Sequence, residues 1–72
     1  MELSPYRIII ETGDDAYSAY VPDLPGCIAA AETREEVETL IREGIVLYIE
    51  TLRERGEPIP APTTRALEVA VA

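Results

Sequence analysis

Between Thr33 and Gly56 the sequence carries both a start and a stop signal for one long helix, and this constrains the 72-residue chain more than any other feature. Thr33 followed by Glu36 is a capping box, in which each side chain accepts a hydrogen bond from a free backbone N–H of the other residue. Glu35 and Glu36 fall where the helix dipole favours negative charge, and Arg53 and Arg55 where it favours positive charge. Gly56 is a natural stop. Val37, Leu40, Ile41, Ile45, Tyr48, Ile49 and Leu52 recur at threes and fours, which predicts a helix over 34–55 with one apolar stripe. Its length is about 33 Å at 1.5 Å per residue. The expectation is that Val37, Leu40, Ile41, Ile45, Tyr48 and Leu52 lie on a sheet. Gly44 interrupts the stripe at a cost of about 1 kcal/mol against alanine, and a close helix–sheet contact would explain it.

Upstream, Y-R-I-I-I-E (6–11) reads as a strand with Tyr6, Ile8 and Ile10 on one face and Arg7, Ile9 and Glu11 on the other. Residues 12–16, T-G-D-D-A, are a turn. Residues 17–21 form a second strand with Tyr17, Ala19 and Val21 together, opposite Ser18 and Tyr20, and the short connection makes the pair an antiparallel hairpin. Residues 27–31, C-I-A-A-A, are a third short strand whose small side chains suit close packing under the helix. Past Gly56, E-P-I-P-A-P-T-T (57–64) cannot continue a helix and favours an extended return across the domain. Leu67, Val69 and Val71 then alternate with Glu68 and Ala70, a last strand. The order is β-β-β-α-β in a single domain over 1–72.

Between the second and third strands stands Y-V-P-D-L-P-G-C, residues 20–27. Each proline fixes its own φ and holds the preceding residue extended. Gly26 takes the positive φ that a tight exit needs. The expectation is a stiff loop presenting Asp23 and Leu24 outward, with little entropy to lose on binding a partner. The competing reading is a rigid connection between strands.

Composition narrows the function. Fourteen acids against six bases, all arginine, give a net charge of −8. This argues against nucleic acid, which needs a basic face to displace counterions, and it suits a basic protein partner. A surplus of acid also serves simple solubility. The chain has no histidine, so the usual proton shuttle near neutral pH is missing. Cys27 is the only cysteine and makes no internal disulfide, which points to a reducing compartment. No stretch reads as a signal peptide or a membrane span, and the expected location is cytoplasmic. A domain this small has a thin core, so self-association is expected, with the terminal strand 67–71 offering an edge or interface.

Y-V-P-D-L-P-G-C, T-R-E-E-V…L-I-R-E-G-I and R-G-E-P-I-P-A-P, in that order, resemble the HicB family of type II antitoxins over about residues 6–63. The combination of P-D-L-P-G with G-E-P-I-P after the helix is the specific part. The resemblance implies a truncated ribonuclease-H-like α+β fold, an antiparallel three-stranded sheet packed on one long helix, with a further strand. It implies a partner, a small basic HicA-like toxin that cleaves mRNA, and no cofactor or metal. The partner-binding residues expected from the loop are Tyr20, Pro22, Asp23, Leu24, Pro25 and Gly26. Two departures stand out. Many members carry a C-terminal helix-turn-helix or ribbon-helix-helix DNA-binding domain, for which a chain ending at Ala72 leaves no room, so direct DNA binding is not expected. The family commonly has glycine before the acid that precedes the capping threonine, and here Ala31-Glu32-Thr33 stands instead.

Two other classes compete. A remnant metal-dependent nuclease would need several carboxylates converging on Mg²⁺. Most acids here lie on the helix's solvated face or in turns, and only Glu11 and Asp23 sit near strand ends. No nucleophile–base pair is visible, and no catalytic residue is assigned. A solo binding domain or a structural homo-oligomer without a toxin is the other alternative.

Overall fold

The computed structural model describes residues 6–63. Three strands, β1 (Ile9–Thr12), β2 (Tyr17–Tyr20) and β3 (Ile28–Ala31), precede a single helix, α1 (Arg34–Arg55). The sheet is antiparallel in the order β1-β2-β3, and α1 packs against β2 and β3. The expected last strand, 67–71, lies outside the described residues.

The hairpin register places Ile9 opposite Tyr20 and Thr12 opposite Tyr17. The Gly13 N–H closes the turn on the Ala16 carbonyl at 2.8 Å. β1 begins at Ile9, later than the expected start at residue 6. Continuing the same register would set Arg7 against Pro22, which has no N–H to offer a ladder. Tyr6 and Ile8 nevertheless pack with Ile10 against the core, as their alternation requires.

The helix begins and ends where its caps dictate. The Glu36 N–H donates to Thr33 Oγ1 at 3.1 Å, and the Thr33 N–H donates to Glu36 Oε1 at 3.2 Å. Gly56 sits at φ 70° in the left-handed region. The Glu57 N–H reaches back to the Leu52 carbonyl at 2.9 Å, the six-to-one bond that satisfies an orphan carbonyl at a helix C-terminus.

The buried core consists of Ala19, Val21, Leu24, Cys27, Val37 and Ile41, with Ile45, Tyr48 and Ile49 partly buried against it. Leu40 corrects the expected stripe, because it is 44% exposed. It lies about 100° around the helix from Ile41, since each residue turns 100°. Strands of four residues are too narrow to cover so wide an arc. Gly44 is not explained by a close contact either. A Cβ there would meet only Cys27 Sγ, at 3.7 Å, which is ordinary van der Waals separation.

Residues 57–63 return without regular structure. The Tyr6 hydroxyl donates to the Pro60 carbonyl. The Thr63 N–H and Oγ1 donate to the two carboxylate oxygens of Asp23, at 3.0 and 2.8 Å. The extended return is thereby fastened at one point to β1's approach and at another to the proline loop.

Candidate partner-binding surface

The proline loop folds back on itself. The Leu24 N–H donates to the Val21 carbonyl at 3.0 Å, and the Cys27 N–H donates to the Leu24 carbonyl at 3.0 Å. Gly26, at φ 84°, supplies the turn between them. These two closures aim the Leu24 side chain inward, where it is fully buried and the bulkiest of the wholly buried side chains. The expectation that Leu24 is presented outward is therefore wrong. Burying a leucine side chain is worth about 1.5–3 kcal/mol, and a core of six buried residues draws in every apolar group within reach. Asp23 is half-buried, and both its oxygens hold Thr63. The same motif thus packs the core with Leu24 and anchors the return segment with Asp23. Pro22, Pro25, Gly26 and Tyr20 remain exposed.

Two surfaces carry exposed apolar groups. On the sheet face turned away from α1, Ile9, Tyr20 and Ile28 stand directly across all three strands in one row. Arg7 and Glu11 share that face by alternation, one base and one acid. The second surface is a groove of about 440 Å³ between the start of β3 and the C-terminal half of α1. Gly26, Ile28, Gly44, Leu47, Tyr48 and Arg55 are among its lining residues. Sequence reasoning missed Leu47 and Ile28 as surface groups. The signal was present, since both stand out of phase with the apolar faces of their elements.

Burial pushes the Cys27 thiol above its ordinary pKa. Among the described residues no group of three or more His, Cys, Asp or Glu side chains is placed to hold a metal ion. No helix among them is long and apolar enough to cross a membrane.

The chain is a small α+β module whose proline loop turns Leu24 into the core and whose exposed apolar groups lie on a groove and a sheet face. The sequence model for the HicB_like antitoxin of bacterial toxin-antitoxin system matches residues 6–71, and the chain belongs to that family. A UPF0150 protein of Thermoplasma acidophilum is 37% identical over 65 residues, 89% of this chain and 94% of the relative. An uncharacterised 14.9 kDa protein of Haemophilus phage HP1 is 40% identical over 76% of this chain, which spans 41% of that longer protein. Among solved structures, a chain of a HicA3 and HicB3 toxin-antitoxin complex matches with a TM-score of 0.69 and 30% identity, over 83% of this chain and 70% of that one.

Proposed function

We propose that this protein is an antitoxin that binds and neutralises a small basic HicA-like toxin that cleaves mRNA. The observation that carries the reading is the match, in both fold and sequence, to a chain of a solved HicA3 and HicB3 toxin-antitoxin complex. The net charge of −8 supports it, because opposite fields steer two small proteins together and hold them in register. On this reading the chain works by occupying the toxin. It needs neither catalytic groups nor a cofactor, and it acts in the cytoplasm where mRNA is cut. The fold is read as a truncated ribonuclease-H-like scaffold put to binding. Of the loop residues expected to touch the partner, Tyr20, Pro22, Pro25 and Gly26 are still exposed to do so, Asp23 is engaged with Thr63, and Leu24 is withdrawn.

The chain is further proposed to act as a homodimer, with a second copy on the open sheet face. The Ile9–Tyr20–Ile28 row is apolar, and its flanking Arg7 and Glu11 cancel, so two molecules of charge −8 meet there with least repulsion. Direct DNA binding by the isolated chain is not part of the proposal.

The test is co-expression. The small basic protein encoded beside this gene should arrest growth when induced alone, and growth should recover when this chain is induced with it. If the neighbouring protein is toxic and this chain neither rescues growth nor binds it in titration, the antitoxin reading fails.

A further inference from the structure

The apolar groove beside β3 is one half of a larger surface. Ile28 and Leu47 are 75% and 65% exposed, more than any other large apolar side chains among the described residues. Both line the groove, with Gly44 between the two elements. Gly44 sits in mid-helix without steric need, since its one near neighbour would tolerate a methyl group at 3.7 Å. Gly44 lines the groove and adds no side chain to it. Leu40 precedes Leu47 by two helical turns and extends the same apolar flank toward the helix N-terminus.

A row of acid runs alongside. Glu36, Glu43 and Glu50 recur at intervals of seven, with Glu54 one turn further on, and all four are exposed. At 100° per residue they occupy an arc about 40° wide immediately next to Leu40 and Leu47. Arg34, Arg42 and Arg53 all fall outside that arc, while Arg55 lines the groove together with Glu57. The ion pair found among the described residues, Arg34 with Glu38, is also outside it. Glu36 shares its carboxylate with the Thr33 cap, and Arg53 stands one turn from Glu50 on the far side of the row but makes no ion pair with it. Like charges one turn apart, such as Glu50 and Glu54, oppose the helix they stand on. A basic surface laid against them would relieve that repulsion.

We infer that this flank of α1, together with the groove it forms with β3, is the surface on which the small basic partner docks. The partner's apolar side chains enter over Leu47 and Leu40, and its lysines or arginines meet Glu43, Glu50 and Glu54. The inference rests on the antitoxin reading and assigns it a face. Charge decides the occupant. A second copy of this chain would set one acidic row against another, and the open sheet face has no bias of charge with which to select a basic protein.

The experiment uses the full chain and the purified small basic protein encoded beside it, with association and dissociation rates measured separately. Leu47→Ala, alone and with Leu40→Ala, should raise Kd by about tenfold or more, chiefly through faster dissociation, as truncation of a buried interface anchor does. Glu43→Gln, Glu50→Gln and Glu54→Gln together should slow association several-fold at low salt and flatten its dependence on salt. Ser18→Ala, at an exposed side chain on the sheet face turned away from α1, should change neither rate. If the wild-type chain binds and the leucine and glutamate variants bind as tightly and as fast, the docking face is wrong while the antitoxin reading stands. If Leu47→Ala instead dissolves a homodimer in light scattering and leaves toxin binding intact, the groove is a self-interface and the inference is overturned. If the wild-type chain binds no such protein, both readings fall together.

Discussion

Replacing Leu24 by alanine separates the two meanings that the proline loop can have. Were the loop a recognition element displaying its leucine, the substitution would weaken partner binding and leave the fold intact. The structure requires the reverse, because the side chain is fully buried and touches the core that Val37 and Ile41 complete. Removing three buried carbons forfeits roughly 2.4 kcal/mol of transfer free energy at about 0.8 kcal/mol per group. The cavity left behind raises the cost to about 3–5 kcal/mol where the site does not collapse. A chain of this length has a total stability of about 4–11 kcal/mol at 0.05–0.15 kcal/mol per residue. Leu24→Ala should therefore cost about a quarter or more of it and lower Tm by at least about 12 °C, since 1 kcal/mol moves a domain this small by about 4–8 °C. Urea and thermal melts followed by far-UV circular dichroism measure both quantities. Leu24→Met, which keeps volume, should cost less than about 1.5 kcal/mol. A Leu24→Ala protein that melts within half a kcal/mol of wild type would falsify the core assignment and restore the leucine as a candidate contact.

Asp23→Ala should destabilise by about 1–2 kcal/mol, the worth of two hydrogen bonds to an ionised acceptor in a half-exposed setting, and proteolysis should then cut more readily within residues 57–63, whose anchor is gone. Gly44→Ala should stabilise by up to about 1 kcal/mol, because the methyl group meets only Cys27 Sγ at ordinary distance and helix propensity improves, and a lower urea midpoint would refute that. Thr33→Ala should cost about 1 kcal/mol through loss of the capping box, read from the same denaturation curves. Folding favours the protonated Cys27 thiol, so its contribution is complete below the unfolded-chain pKa of about 8.5 and is lost as pH rises through the higher folded value. Tm should accordingly fall more steeply above that pH in wild type than in Cys27→Ala, and equal slopes would show that burial does not control the thiol.

How much of this was legible in the sequence depended on how local the cause was. The helix bounds emerge from Thr33, Glu36 and Gly56 alone, since a capping box and a left-handed glycine are settled within a few residues of themselves. The strand faces followed from alternation, and Ala19, Val21 and Cys27 are buried as that pattern requires. The start of β1 was misjudged because it depends on Pro22, a residue in a different segment that faces Arg7 only once the register is known. Leu40 was misjudged because apolar spacing shows which residues share a stripe, while the width of the sheet decides how much of that stripe is covered. The direction of Leu24 was set by two backbone hydrogen bonds of its own loop, which leave no trace in residue type.

The inward turn of Leu24 bears on how function is inferred from a motif. P-D-L-P-G is the most distinctive run in the chain, and distinctiveness invites a role in recognition. Three of its residues also have a place in the fold: Leu24 in the core, Asp23 on Thr63, and Gly26 in a left-handed turn. A run so employed identifies relatives that fold alike, whatever each of them binds, because its substitution harms the scaffold first. On the docking face proposed above, partner choice resides where substitution leaves the scaffold standing. On α1 the exposed flank satisfies that condition, since the helix already has its caps and its buried Val37 and Ile41 without Leu40, Leu47 or the glutamates beside them. It follows that exchanging Leu40, Glu43, Leu47, Glu50 and Glu54 for the residues at the same helix positions of a related antitoxin should transfer toxin preference, with Tm nearly unchanged. Exchanging the loop residues 22–26 between the same two proteins should leave preference where it was. Binding titrations of both chimaeras against both toxins decide the matter, and preference that travels with the loop would show that the motif, for all its structural work, still carries the recognition.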